Sequence, residues 1–465
     1  MVGGAAWRSA LARGLGLTWL RHARAAGAGW ARVHDIDGAS FVLLYLCLLL
    51  YLPASLVFRP LSSAGTPATM LAIFGALCWV LNRIMDPRAR RPSLSVVPVT
   101  AAGGLFALCV VASTVVALAR PLRTEELKSM NTGLLFVVAW AGVALVTSDG
   151  ITSRNRLARV HRRLVLASAF VGLVGILQFV TGRTLTDMIR IPGLSANTTA
   201  LVYARDGFSR VIGTTLNPIE FGVLMAAMLP LAINHGVHAS TTRWRAWAPT
   251  VLIASSIPLS NSRSGLVALG VAMLVVIPTY SPAMRLRVLG YGLTGAMAVF
   301  VLVPGLLGTL LGLFIGIDDD PSAGSRTGSY ALAGAFISRS PVWGRGFLTF
   351  LPEYRILDNQ YLGLLIDVGV AGTAAFLLTM TTAVVVCWRS YRLSTDGATV
   401  GRSAALLAAL SACTVSFAFF DALSFPVIAG FTALCLGLAE CEWRFARALA
   451  TSPVGGRPPT EESTR

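Results

Sequence analysis

A series of long apolar runs constrains this chain more than any other feature of its sequence. Runs long enough to cross a bilayer, about 17 to 25 residues, follow one another from residue 40 to residue 442. They are predicted at 40–58, 67–85, 95–118, 130–147, 163–181, 217–235, 246–261, 263–280, 288–316, 360–388, 403–421 and 424–442. The chain is therefore predicted to be an all-α polytopic membrane protein with about twelve transmembrane helices.

The composition supports this class and excludes others. Of 465 residues, 55% are hydrophobic and only 13% are charged, so little chain remains for a sizeable soluble domain. The net charge of +17 is scattered between the apolar runs, and we therefore expect no nucleic-acid partner. All seven cysteines lie within or at the ends of apolar runs, which is typical of core residues and not of disulfides or metal sites.

The distribution of basic residues predicts the topology. With the N-terminus in the cytoplasm, 25 of the 38 lysines and arginines fall on the cytoplasmic side, as the positive-inside rule requires. Both termini are then cytoplasmic. The predicted division is a basic N-terminal segment at 1–38, helices one to nine at 39–316, a long outer loop at 317–360, helices ten to twelve at 361–442 and a tail at 443–465. The N-terminal segment reads either as an amphipathic helix on the inner leaflet or as a basic tail.

The remaining 13 basic residues run against this trend, because they are predicted on the outer side. An anionic ligand such as a diphosphate is the simplest reason for a positive outer surface. The alternative is pairing with nearby acids such as Glu125 and Glu126. Both explanations remain open for the individual arginines.

The first candidate site precedes the sixth apolar run and spans Arg210 to Glu220. Asn217 is predicted to cap that helix with Pro218 at its first position, which leaves free amides facing outward for a phosphate. The alternative is an ordinary helix start. Glu220 and Asp367 lie slightly inside their spans, where a buried carboxylate needs a partner, and an outer arginine is expected in that role.

The second candidate site is Asn261-Ser262-Arg263-Ser264-Gly265, between two apolar runs. Arg263 has no acidic residue within ten positions on either side. A charge at membrane depth is costly and marks function by default, although an arginine snorkelling to lipid head groups gives the same pattern.

The third candidate site is the long loop. It contains Ser325-Arg326, the turn Pro341 to Gly346 with Arg345, and Asp358-Asn359-Gln360-Tyr361-Leu362. Glycines in the turn permit close backbone approach. Asp358 is the best-placed carboxylate for general-base work, but helix capping is the common use of aspartate at such a position.

Together these motifs resemble the O-antigen ligase and O-antigen polymerase superfamily of bacterial envelope glycosyltransferases. The resemblance is carried by Arg210-x-x-Gly213, Ser262-Arg-Ser-Gly265, Ser325-Arg326, the Pro341–Gly346 turn and Asp358-Asn-x-Tyr-Leu362. It implies transfer of a glycan from an undecaprenyl-diphosphate-linked donor to a sugar hydroxyl of a lipid-linked acceptor, at the outer face of the bacterial cytoplasmic membrane. The reaction would invert the anomeric carbon and need neither metal nor cofactor.

The resemblance also implies roles for single residues. Arg210 and Arg263 would neutralise the diphosphate leaving group, with Arg326 in support, and Asp358 would be the base. Further predicted substrate-binding residues are Arg345, Asn217, Glu220, Asn359 and Tyr361. The family's ligases commonly carry a histidine near the position of Asp358, whereas all five histidines here are predicted to be cytoplasmic.

The sequence leaves other functions open. It does not separate ligase from polymerase, because the two share a reaction and differ in the acceptor. A multi-span transporter or flippase of an anionic lipid or solute would have the same span count, although no internal repeat relates two halves of this chain. A non-catalytic scaffold for envelope assembly is a third possibility.

Overall fold

The computed structural model describes residues 38–85, 97–197, 203–205, 208–239, 242–303, 305, 308 and 330–450. Three predicted features lie outside these ranges: almost all of the basic N-terminal segment, the Ser325-Arg326 pair and the end of the C-terminal tail.

The described chain is predominantly α-helical. Its helices are α1 (Gly38–Leu50), α2 (Pro67–Met85), α3 (Pro98–Leu118), α4 (Thr124–Gly150), α5 (Arg154–Thr181), α6 (Pro218–His238), α7 (Arg243–Leu259), α8 (Arg263–Val276), α9 (Pro282–Leu302), α10 (Gln360–Asp367), α11 (Gly369–Leu393), α12 (Gly397–Ser416) and α13 (Pro426–Ala450). Short 3-10 helices lie at Arg59–Gly65, Leu185–Met188, Ile277–Thr279 and Ala422–Ser424.

Two small antiparallel ribbons complete the described secondary structure. Strand β1 (Leu56–Val57) pairs with β2 (Ser195–Ala196). Strand β3 (Tyr203–Arg205) pairs with β4 (Phe208–Arg210), so β4 leads directly into the approach to α6.

By length and composition alone, eight helices of the described chain could cross a membrane: α2, α3, α4, α5, α6, α11, α12 and α13. Two shorter apolar segments are Gly38–Leu50 and Arg263–Thr279. The prediction of an all-α, multi-span membrane protein is thereby confirmed. The count of twelve and the extent of the long loop remain predictions.

Helices α6 and α13 form the centre of the molecule. In each, 89% of the most apolar window is buried, against 22% in α2. Helix α6 packs on α7, α8 and α12, and α13 packs on α4 and α11. A Cβ atom added to Gly222 of α6 would lie 3.3 Å from the Cα of Gly265 on α8, so these two helices touch backbone to backbone.

The starts of α6, α8, α10 and α13 lie at one end of the bundle, which is called the site end below. The backbone N–H of Gln360 donates to the carbonyl oxygen of Phe417 at the end of α12, at 2.9 Å. At the opposite end, Arg154 Nη2 donates to the carbonyl oxygen of Phe445 at 2.6 Å. All three predicted sites, as far as the structure describes them, are at the site end.

Two apolar runs differ from simple spans. The first run, predicted to reach residue 58, leaves the helix at Leu50 because Pro53 follows and the chain then enters β1. The tenth run is broken, since α10 ends at Asp367 and α11 begins at Gly369 with a φ of +66°. A break of this kind exposes backbone groups that other segments must satisfy.

Candidate functional site

The first predicted site is the start of α6, and its local geometry is as predicted. Asn217 caps the helix, its Oδ1 accepting the backbone N–H of Ile219 at 2.8 Å, and Pro218 takes the first helical position. The Asn217 side chain is therefore used to satisfy the helix end.

Glu220 has a different role from the predicted one. Its side chain is completely buried, and one carboxylate oxygen accepts the backbone N–H of Leu216 at 2.9 Å. The other oxygen accepts the N–H groups of Val427 and Ile428, at 2.9 and 3.0 Å. Its described hydrogen-bond partners are thus backbone amides and not the predicted arginine, and Glu220 joins the starts of α6 and α13.

The second predicted site is brought against the first. Arg210 Nε donates to the backbone carbonyl oxygen of Ser260 at 3.1 Å. Ser262 caps α8 by accepting the N–H of Gly265 at 3.3 Å, and Arg263 is the first residue of that helix. Two half-buried arginines, Arg210 and Arg263, therefore lie on adjoining segments of the site end.

Asn261 lies between the Arg210 and Arg263 segments, and both its backbone conformation and its side-chain environment are unusual. Its φ of +44° is in the left-handed region, which is uncommon outside glycine. Its side chain is 1% exposed, and within the described part of the chain neither its amide nitrogen nor its amide oxygen has a hydrogen-bond partner. A buried amide without a partner in the fold requires an explanation, and Asn261 is therefore a candidate for binding a ligand.

The Pro341–Gly346 turn of the third site packs on the break between α10 and α11. The N–H groups of Arg345 and Gly346 donate to the carbonyl oxygens of Ile366 and Asp367, at 3.0 and 2.9 Å. Gly344 has a φ of +70°, and a Cβ atom there would lie 2.4 Å from the carbonyl carbon of Asp367. The predicted close backbone approach is confirmed, and it satisfies part of the broken span.

Arg345 anchors this loop on α4. Its guanidinium donates to the carboxylate of Glu126, which is 2% exposed and also accepts from Arg120 Nη1 at 3.0 Å and from the Tyr354 hydroxyl at 2.8 Å. Arg345 further lies over the rings of Phe336 and Tyr354, 4.7 and 5.1 Å from their centres. For Arg120 and Arg345, pairing with acids is thus the explanation that the structure supports, and the Arg345 side chain is committed to Glu126.

The segment that starts at Asp358 differs from the prediction in one respect. Asn359, and not Asp358, caps α10, accepting the N–H of Leu362 at 3.1 Å. Asp358 precedes the cap with a φ of +49°, which is again a left-handed conformation. The Asp358 carboxylate is therefore not used in capping. Tyr361 is held inside the bundle, where its hydroxyl donates to the carbonyl oxygen of Thr414 at 2.5 Å.

Gln360 ties this segment to the turn between α12 and α13. Its backbone N–H donates to the carbonyl oxygens of Phe417 and Phe420, at 2.9 and 3.1 Å. Its side-chain oxygen accepts the N–H of Leu423 at 2.8 Å. These bonds hold Asp421 close to Asp358.

A cavity of about 440 Å³ opens at the site end beside this turn. Its walls are the first half of α4, the outer-loop segment before α10, the start of α10 and the turn at 421–424. The charged residues among its lining are Glu125, Lys128, Arg355, Asp367 and Asp421. The Asp367 carboxylate is already engaged, because it accepts the N–H groups of Leu348 and Phe350 at 2.9 and 3.0 Å.

Asp421 is the residue that the sequence reasoning missed. Burial, together with the negative charge of Asp358, raises the pKa of its carboxyl to about 6. The available signal was a lone acid in an otherwise apolar turn, Phe417 to Phe425, predicted on the same side as Asp358. The electrostatic interaction between the two aspartates spans 63 residues and is not visible in either motif alone.

Residues 248–377 match the family model described as O-Antigen ligase (Wzy_C). The match runs from α7 into α11 and so contains Arg263, Arg345 and Asp358, while Arg210 and Asp421 lie outside it. No curated protein matches the chain significantly.

Proposed function

We propose that this chain, whose residues 248–377 match the O-antigen ligase family model, is a membrane glycosyltransferase acting on undecaprenyl-diphosphate-linked glycans. It transfers or polymerises the glycan onto a sugar hydroxyl of a lipid-linked acceptor. The reaction takes place at the outer face of the bacterial cytoplasmic membrane, with inversion at the anomeric carbon and without a metal. The observation that carries this proposal is the adjacency of the Arg210 and Arg263 segments at the site end.

The leaving group explains the two arginines. When the glycosidic bond to the diphosphate breaks, negative charge develops on a phosphate oxygen, and preorganised cationic donors at low dielectric stabilise it strongly. Planar guanidinium groups suit phosphate oxygens. Arg210 is already oriented by the Ser260 carbonyl oxygen, and Arg263 stands at the start of α8, where the helix dipole favours an anion.

Asn261 supports the same placement. Its buried amide has no described hydrogen-bond partner and sits between the residue that Arg210 contacts and Arg263. An amide N–H pointing to a phosphate or sugar oxygen would satisfy it. Arg326, which lies outside the described residues, keeps the supporting role that the family resemblance gives it.

The acceptor hydroxyl must lose a proton as it attacks. The hydroxyl oxygen forms a bond to the anomeric carbon, the bond to the diphosphate oxygen breaks, and the hydroxyl proton passes to a base. Carboxylates at the site end are the available bases in the described chain. Asp358 lies within the matched family segment, and it is the one to which the family resemblance assigns this role. Asn359 and Tyr361 then hold the start of α10 in place.

The test is transfer by the purified protein in nanodiscs containing EDTA, supplied with undecaprenyl-diphosphate oligosaccharide. A ladder of longer lipid-linked glycans is expected for a polymerase, and a single transfer to a separate lipid-linked acceptor for a ligase. Arg339→Ala is the matched control, since Arg339 is an exposed arginine of the same end whose described contact is the Phe336 ring. Movement of labelled lipid across proteoliposomes without any new glycan would instead favour a transporter.

A further inference from the structure

Two aspartates far apart in sequence share one corner of the site end. Asp358 lies two residues before Gln360, and Asp421 lies two residues before Leu423. Gln360 binds both sides of the turn, through its N–H to Phe417 and Phe420 and through its side-chain oxygen to the N–H of Leu423. The hydrogen bonds of one residue therefore fix the relative position of the two carboxylates.

The two aspartates differ in their access to the cavity. Asp421 forms part of its wall, together with Ser424 and residues of α4 such as Lys128. Asn359 and Gln360 also line it, whereas Asp358 is not among the lining residues. A sugar hydroxyl in the cavity would thus meet the Asp421 carboxylate.

We propose that Asp421 accepts the proton of the attacking hydroxyl group, and that Asp358 acts on the reaction through Asp421 as its electrostatic partner. This assignment rests on the proposed glycan transfer and changes the base from the residue that the family motif suggests. The Asp421 carboxylate takes the hydroxyl proton while the new carbon–oxygen bond forms and the electron pair of the broken bond leaves with the diphosphate. The proton is then released to water from the cavity.

The electrostatic surroundings favour this role. A general base is most effective when its pKa lies near the working pH, and an ordinary aspartate at about 3.9 is a weak base. Burial and the charge of Asp358 bring the pKa of Asp421 to about 6, partly offset by the Ser424 hydroxyl. The other charged groups lining the same cavity are Glu125 and Lys128 from α4, Arg355 from the loop and Asp367 from α10.

The sign of the pH dependence follows. Below a pH of about 6 Asp421 is protonated and cannot accept the proton, so the transfer rate falls as the pH decreases through that value. Replacing Asp358 with a neutral residue removes a negative neighbour, which lowers the pKa of Asp421. The acid limb of the pH–rate profile, where the rate falls with decreasing pH, is then displaced to lower pH.

The experiment compares the pH–rate profiles of wild type, Asp421→Asn, Asp421→Glu and Asp358→Asn in the nanodisc assay. Glu353→Gln is the control, because Glu353 is an exposed carboxylate of the same loop that pairs with Arg123 and does not line the cavity. We expect Asp421→Asn to lose at least about a hundredfold in kcat with donor binding kept. Asp421→Glu should recover part of the rate, and the acid limb of the Asp358→Asn pH–rate profile should lie at lower pH than that of wild type.

Other outcomes overturn the assignment. If Asp358→Asn abolishes transfer while Asp421→Asn keeps it, the base is Asp358. If Asp421→Asn and Asp421→Glu are both inactive and also fail to bind donor, Asp421 is structural. These results differ from failure of the proposed function itself, in which the wild-type protein makes no product or Arg263→Ala remains fully active.

Discussion

The carboxylate of Glu220 on α6 accepts the backbone N–H of Val427 at the start of α13, at 2.9 Å and across 207 residues of chain. The same carboxylate accepts the N–H groups of Leu216 and Ile428. One buried charged side chain thus supplies the cap that the first turn of the central helix α13 requires.

Glu220→Ala is therefore expected to destabilise the protein. The buried N–H groups of Val427 and Ile428 and the partly buried N–H of Leu216 would lose their acceptor, and each unsatisfied buried group costs about 1–3 kcal/mol. The thermal unfolding midpoint in detergent should drop clearly. Glu353→Ala is the comparison, because that exposed carboxylate makes a surface ion pair worth little. An unchanged midpoint for Glu220→Ala would show that α13 does not depend on this cap.

Arg210→Ala and Arg263→Ala should lower the rate of glycan transfer and have little effect on the stability of the protein. Removing one preorganised donor from a developing oxyanion costs about a hundredfold to a thousandfold in kcat. Single-turnover rates and the thermal midpoint should be measured together for both variants and for Arg339→Ala. Near-normal product from both site variants would contradict the proposed function.

Asn261→Gly should separate stability from activity. Glycine accepts the left-handed backbone of this position without strain, and the substitution removes a buried amide that has no described partner. We expect an unchanged or higher thermal midpoint and a slower transfer. A lower midpoint with full activity would assign Asn261 to the fold and not to the site.

Gly344→Ala should damage the loop anchor. A methyl group there would lie 2.4 Å from the Asp367 carbonyl carbon, at a φ of +70°, so the turn would have to move off the α10–α11 break. Limited proteolysis should then cut the loop faster than in wild type. Gly334→Ala is the matched control, since a Cβ atom there meets nothing within 4 Å. Equal cleavage of the two variants would rule out this anchoring role.

Asp421→Asn should stabilise the protein at neutral pH. The folded-state pKa of about 6 lies above the ordinary value of about 3.9, so the folded state holds the proton more tightly than the unfolded state. The ionised carboxyl therefore opposes folding increasingly as the pH rises from about 4 to about 6. The midpoint of the variant should exceed that of wild type at pH 7.5 and approach it near pH 4. A lower midpoint at pH 7.5 would contradict a strained, functional carboxylate.

The sequence predicted the elements of the fold better than their ends. The run at 67–85 coincides with α2, because its apolar residues fill the helix from end to end. Helix α4 instead begins at Thr124, outside the predicted run at 130–147, since its first turn is polar and starts at the site end. The break at Gly369 was not predicted, because the segment that packs on it is the Pro341–Gly346 turn, which is distant in sequence.

The sequence predicted the motifs of the site, but it did not predict which residues contact one another there. Local chemistry predicted the Asn217 cap and the Pro341–Gly346 turn, both of which depend on neighbours in sequence. The partners of Glu220 on α13 and the partner of Arg345 on α4 could not be predicted, because they lie about 200 residues away and several candidates exist. Asp421 was missed for the same reason.

The backbone contact between Gly222 and Gly265 determines which parts of the site end can vary in sequence. The close approach of their backbones leaves α6 and α8 little room to shift, so the spacing of the segments at their starts, which contain Arg210 and Arg263, is constrained. The walls of the cavity, by contrast, include loop side chains such as Arg355, Ile356 and Leu357, which can change without disturbing that pair. If the proposed glycan transfer is correct, we expect specificity for new acceptors to arise by variation of this wall, while the arginine pair stays constant.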